Sequence, residues 1–163
     1  MQIGMAIEKM IDFYGGNLND INHFLKVYAF AKAIGEQEGL DPQVQQTLEL
    51  AAVVHDIACP LCREKYGNTD GKHQEAEGPA LARSFLAELP VLPQVAGRVC
   101  DLVGRHHTYT QVDGPDHQIL LEADFLVNAD ENMLSQDVIR SMLARVFKTE
   151  TGKRLLRSAY RLA

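Results

Sequence analysis

Apolar residues recur at spacings of three and four along nearly the whole chain, and no stretch keeps the two-residue alternation of a half-buried strand. That periodicity predicts an all-α, single-domain helical bundle. The first helix is expected over about residues 4 to 14, where Gly15-Gly16 stops it. A second, capped by Asn19 or Asp20, is expected to run to about Gly39 and carries His23 in its first turns. Asp41-Pro42 supplies a cap and a first-turn proline for a third helix, whose apolar stripe reads Val44, Leu48, Ala51 or Ala52, and then His55. The stripe turns that imidazole toward the core.

From Ala58 to Gly71 the periodicity lapses, and Pro60, Gly67, Asn68, Asp70 and Gly71 predict a loop that also carries Arg63, Lys65 and Lys72. A helix is expected from near His73 to near Glu88, and another from about Gln94 to His106-His107, with Pro90 and Pro93 between them. After Gly114-Pro115, Leu120, Asp124 and Val127 share one face at i, i+4 and i+7, which sets a carboxylate between two aliphatic side chains. Two amphipathic helices, about 135–147 and 150–161, finish the chain. Residues 1–163 therefore read as one domain, with its motif-bearing core at about 20–130.

Bulk properties narrow the classes of function. A chain of 163 residues, 46% of them hydrophobic, buries a core without disulfide or metal staples. Its net charge of -6 repels phosphate backbones, which speaks against a nucleic-acid-coating role and requires a local site for any anionic substrate. No apolar run reaches the roughly 20 residues of a membrane span. The first ten residues carry Glu8 and Lys9 in an amphipathic pattern, so a cytoplasmic protein is expected. Three cysteines suit reduced thiols.

A carboxylate or imidazole on an apolar stripe needs a partner, because an unpaired buried charge or polar group is costly. One divalent ion would partner His23, the His55-Asp56 pair and Asp124 together, since neutral imidazole and ionised carboxylate suit such ions and helical bundles build sites from converging helices. The plainer alternative is a set of hydrogen-bonded core residues. The His-Asp dipeptide alone is a weak motif in a chain with six histidines.

The early-helix His, the helix ending in His-Asp, and the late Asp within Leu121-Glu122-Ala123-Asp124-Phe125-Leu126 resemble the HD superfamily in order and setting, over about residues 20 to 130. The resemblance implies a helical bundle of HD type that binds a divalent ion through His23, His55, Asp56 and Asp124. Mn, Fe, Co, Ni, Mg and Zn all suit these ligands; one ion is expected and two are an alternative. The implied activity is metal-dependent hydrolysis of a small phosphate ester, with nucleotides among the candidates. Some relatives are two-iron oxygenases, and a non-catalytic sensor or interaction module would keep the same fold and metal.

Relatives with two metals add histidines between the His-Asp pair and the final Asp, and His73, His106 and His107 occupy that interval. Asp56 would then bridge two ions, with His73 and either His106 or His107 at the second; otherwise these histidines line or cap the pocket. His73 departs from the pattern, preceding Gly78 by five residues where Gln74 stands at the matching four. His106, the better candidate of the adjacent pair, or Glu77 would serve as the general base. Cys59-Pro60-Leu61-Cys62 has the spacing of half a zinc site or of a redox pair, but the chain offers neither another Cys pair nor a βαβ setting, so ordinary reduced thiols are expected. Arg63, Lys65, Lys72 and Arg105 flank the ligands, where one or two would hold a phosphate. His117, after a Gly-Pro-Asp turn, is expected to be an exposed helix-start residue.

Overall fold

The computed structural model describes residues 1–163 and contains nine α-helices. They are α1 (Gln2–Tyr14), α2 (Leu18–Gln37), α3 (Pro42–Val54), α4 (Cys59–Tyr66), α5 (Gly71–Ala87), α6 (Pro93–Val103), α7 (Pro115–Glu131), α8 (Gln136–Arg145) and α9 (Glu150–Ala159). Gly15 ends α1 in the left-handed region at φ 54°, a conformation a side chain disfavours. The cap of α2 is Asn17, whose side chain accepts from the Asp20 backbone N–H, two residues earlier than the expected Asn19. Asp41 caps α3 as expected, accepting from the Gln43 N–H.

Two expectations about the middle of the chain are corrected. The segment read as a loop contains α4, because Pro60 lies in a first turn, where its missing N–H costs no hydrogen bond, and Gly67 closes the helix in the left-handed region. Helix α6 ends at Val103, so His106 and His107 sit in the turn that follows rather than on the helix.

Helix α3 packs against α1, α2, α6 and α7, and every residue from Thr47 to Val54 is buried. Helix α7 is likewise buried without interruption from Ile119 to Val127. Over these stretches both helices are buried all round, as central helices are, and they position His55, at the end of α3, and Asp124. One cluster of 35 buried residues draws on every helix except α4. No helix is long and apolar enough to cross a membrane.

Close backbone approaches fix the turn after α6. A Cβ on Gly78 would lie 2.6 Å from Val103 Cγ1, and one on Gly71 would lie 2.9 Å from His107 Cβ. Glycine at both positions lets α5 press on the end of α6 and on the His106-His107 turn. Beyond it, Arg98 binds Asp101, Asp113 and Asp116, and Arg105 binds Asp101 and Asp113. This ion-pair cluster folds the connection down over His117. That histidine is fully buried, with Nε2–H donating to the Arg105 carbonyl, and is not the exposed residue its turn setting suggested.

Candidate metal centre

His23 comes from the second turn of α2, His55 from the end of α3, Asp56 from the next residue and Asp124 from the middle of α7. Their polar atoms converge. His23 Nε2 is 3.2 Å from His55 Nε2, 3.2 Å from Asp56 Oδ2 and 3.1 Å from Asp124 Oδ1. His55 Nε2 is 3.5 Å from Asp56 Oδ2 and 3.4 Å from Asp124 Oδ1. A metal–ligand distance of about 2.1 Å would space neighbouring ligand atoms about 3.0 Å apart in octahedral and about 3.4 Å apart in tetrahedral geometry. These five separations match those edges; His23, His55 and Asp56 form the compact group, and Asp124 meets it through the two imidazoles.

Hydrogen bonds at the other ring nitrogens set the chemistry of this group. His55 Nδ1–H donates to the Ala52 carbonyl at 2.8 Å, and His23 Nδ1–H donates to Glu131 Oε2 at 2.8 Å. Each neutral ring then presents a bare Nε2 lone pair, and the two face each other at 3.2 Å. Two acceptors so close require a cation between them. Without metal, a proton takes the place: burial alone would lower the His23 pKa, but the carboxylates of Asp124 and Asp56 outweigh it and push it up to about 11. Burial would raise both carboxyls, yet the neighbouring histidines hold Asp56 and Asp124 well below the usual carboxylate range. The donor set fits a divalent ion.

Asp56 divides its oxygens. While Oδ2 faces His23 and His55, Oδ1 lies 3.3 Å from His106 Nε2, and Asp56, His106 and His107 form a second group with the spacing to hold an ion. His106 Nδ1–H donates to the Val103 carbonyl at 2.8 Å, so its Nε2 and Asp56 Oδ1 also face each other as acceptors; burial alone would lower the His106 pKa, but the Asp56 carboxylate outweighs it and raises it. His107 Nε2 is buried without a partner. Burial first, then the nearby His106, lowers the His107 pKa to about 4 and keeps the ring neutral. Gln74 lines the same cleft; its Nε2 donates to the Thr69 carbonyl at 2.7 Å, which leaves Oε1 buried and unpartnered.

Two candidates lie elsewhere. His73 stacks on Tyr66, with ring centroids 3.8 Å apart, and its Nδ1 is 3.0 Å from Asn68 Oδ1; it belongs to neither ligand group. Glu77 does not line the cleft, and its carboxylate is taken by Lys65 and by the Tyr66 hydroxyl at 2.6 Å. The cysteines are free thiols; burial raises the pKa of Cys59 and Cys62, and neither joins a ligating group.

The first ligand group opens into a cleft of about 490 Å³ lined by 16 residues. Its walls include amides (Asn19, Asn128, Asn132) and two aromatic rings (Tyr109, Phe125). Among the flanking cations, only Arg63 lines it, since Lys65 is held by Glu77 and Arg105 by Asp101 and Asp113. Asn128 and Glu131 were not among the candidate residues expected from sequence. Their signal was the spacing from Asp124, i+4 and i+7 along α7, which puts all three on one face.

A protein-family model described as HD domain matches residues 20–144. No curated protein matches the chain. Among solved structures, the chain is similar to a crystal structure described as a predicted HD superfamily hydrolase from an uncultured Thermotogales bacterium. The TM-score is 0.69 and the identity 22%, with 96% of this chain and 84% of the other covered. With the family model spanning most of its length and the fold shared, this chain belongs to the HD domain family.

Proposed function

We propose that this chain is a metal-dependent phosphohydrolase acting on a small phosphate ester, with nucleotides among the candidates. The observation that carries the reading is the convergence of His23 Nε2, His55 Nε2, Asp56 Oδ2 and Asp124 Oδ1 at an open cleft of about 490 Å³. A divalent ion held there would polarise a phosphoryl oxygen and lower the pKa of a bound water.

The chain's own residues do the rest. Glu131 and the Ala52 carbonyl fix the two rings with Nε2 toward the cleft, so the ligands need little rearrangement. His106, its Nδ1–H tied to the Val103 carbonyl, faces Asp56 through Nε2 and would accept the attacking water's proton when that nitrogen is bare and turned to the water. The amides of Asn19, Asn128 and Asn132 offer donors and acceptors to the leaving group, and Tyr109 and Phe125 offer flat apolar faces.

The split carboxylate of Asp56, with His106 and His107 beyond it, favours a two-ion form as a second reading, in which His106 is a ligand and not the base. That form also suits a two-iron oxygenase, which oxygen-dependent substrate loss would reveal.

The test is a panel of phosphate mono- and diesters offered to metal-loaded protein, reading inorganic phosphate. The proposal expects release from at least one ester and its loss in Asp56→Ala. No release by fully loaded protein, or undiminished release by Asp56→Ala with its metal lost, contradicts it.

A further inference from the structure

The cleft is electronegative: Asp20, Asp56, Asp124 and Glu131 all line it, and the chain as a whole carries -6. An anionic ligand entering it therefore needs a built cationic partner besides any ion at its floor. Arg63, in α4, is the one Lys or Arg side chain among the 16 lining residues.

The way Arg63 is held is informative. Its Nη1 donates to Asp20 Oδ2 at 2.7 Å and its Nη2 to Asp20 Oδ1 at 2.8 Å, so the carboxylate occupies the end-on edge of the guanidinium. Asp20 is itself anchored by Asn17 Nδ2 at 3.0 Å and is largely covered, its side chain 14% exposed. These contacts fix the plane of the guanidinium. They use two of its five N–H groups. The lateral edge, formed by Nε–H and the outer hydrogen of Nη2, has no protein acceptor, and the side chain remains 45% exposed. That edge is a second fork of the same width, and two phosphate oxygens fit it as two carboxylate oxygens do.

We infer that Arg63 is the anion clamp of this cleft, binding a ligand phosphate on its Nε/Nη2 edge while Asp20 holds the opposite edge and positions the guanidinium. The substrate class rests on the hydrolase reading above, but the test does not. The phosphate at the clamp is either the group that also contacts an ion at the cleft floor or a separate phosphate of the same ligand. Asp20 is a positioning residue: it sets the orientation of Arg63 and does not itself touch the anion.

Inorganic phosphate is the probe, titrated calorimetrically into metal-loaded and chelator-stripped protein for the wild type, Arg63→Gln, Arg63→Lys and Asp20→Asn, with metal content and circular dichroism recorded for each. Removing a bidentate charged contact is expected to weaken phosphate binding about tenfold or more in Arg63→Gln. Arg63→Lys, which keeps the charge and loses the fork, is expected to weaken it by about threefold or more, and Asp20→Asn by about threefold, with metal content unchanged throughout. The lysine variant preserves the test if the glutamine variant fails to fold. Arg63-dependent binding that survives stripping identifies a separate phosphate; binding that needs both Arg63 and metal identifies a shared one. Either supports the clamp. Wild-type affinity in both Arg63 variants, or no saturable phosphate binding by wild type in either form, overturns it. Because binding is read without turnover, an inactive protein that still shows Arg63-dependent binding refutes the hydrolase reading and leaves the clamp standing.

Discussion

Glu131 is the sharpest place to perturb the centre without touching a ligand. Its Oε2 accepts the His23 Nδ1–H at 2.8 Å while Oε1 accepts from Lys26 Nζ at 2.7 Å, so the carboxylate holds the ring with Nε2 toward the other ligands. A hydrogen bond to a charged group contributes about 1.5–3 kcal/mol. The Glu131 side chain is 30% exposed, so water replaces part of this in Glu131→Ala, and a net loss of about 1–2 kcal/mol remains. At about 1.4 kcal/mol per factor of ten, metal binding should weaken roughly 5- to 30-fold. Glu131→Gln, which keeps an acceptor oxygen, should lose less. The assay is competition for the ion against a chelating dye, with thermal melting of the stripped proteins as the control for folding. A Glu131→Ala protein that is folded and binds metal within twofold of the wild type would refute the claim that this carboxylate orients His23.

Two further predictions concern stability. In metal-free protein the His23 pKa stands at about 11 against the ordinary 6.5. A raised histidine contributes stability that is fully present below pH 6.5 and is lost as pH rises toward 11, with a ceiling of about 1.4 kcal/mol per pH unit. The urea midpoint of stripped protein should therefore fall between pH 7 and pH 9, and an unchanged or rising midpoint would contradict this. Glu122, fully buried in α7, accepts from the Lys148 and Thr149 backbone N–H groups, the Thr149 hydroxyl and Gln118 Nε2, and so holds the start of α9 against the core. Glu122→Ala leaves these donors without an acceptor and should cost about 2–4 kcal/mol by urea unfolding; a loss under about 1 kcal/mol would show that water takes over.

Much of this arrangement was legible in the pattern of the chain, for a physical reason. His55 and Asp124 interrupt apolar stripes, and buried polar groups on such stripes demand a common partner, so their meeting with His23 and Asp56 was foreseeable. Helix α4 was not, because Pro60 and Gly67 read as breakers when they are in fact its first turn and its stop. The burial of His117 depends on ion pairs that fold a loop over it, and no local periodicity encodes them. Choosing among Arg63, Lys65 and Arg105 required knowing which carboxylate each one meets. Glu131 pairs with a histidine 108 residues away, a contact that spacing along one helix places on the right face but cannot assign. His73 and Gln74 differ by one position, and only the packed helix shows that the first stacks on Tyr66 while the second lines the cleft.

If His23, His55, Asp56 and Asp124 form one ion site, metal content per chain shows it most directly. The protein is purified without added metal, exposed to Mn, Fe, Co, Ni, Mg and Zn in turn, dialysed and measured by mass spectrometry, alongside Asp124→Ala. About one divalent ion per chain, or about two if the Asp56-His106-His107 group also fills, with the first site lost in Asp124→Ala, is the predicted result. No ion retained from any of these metals, or equal retention by Asp124→Ala, would contradict it.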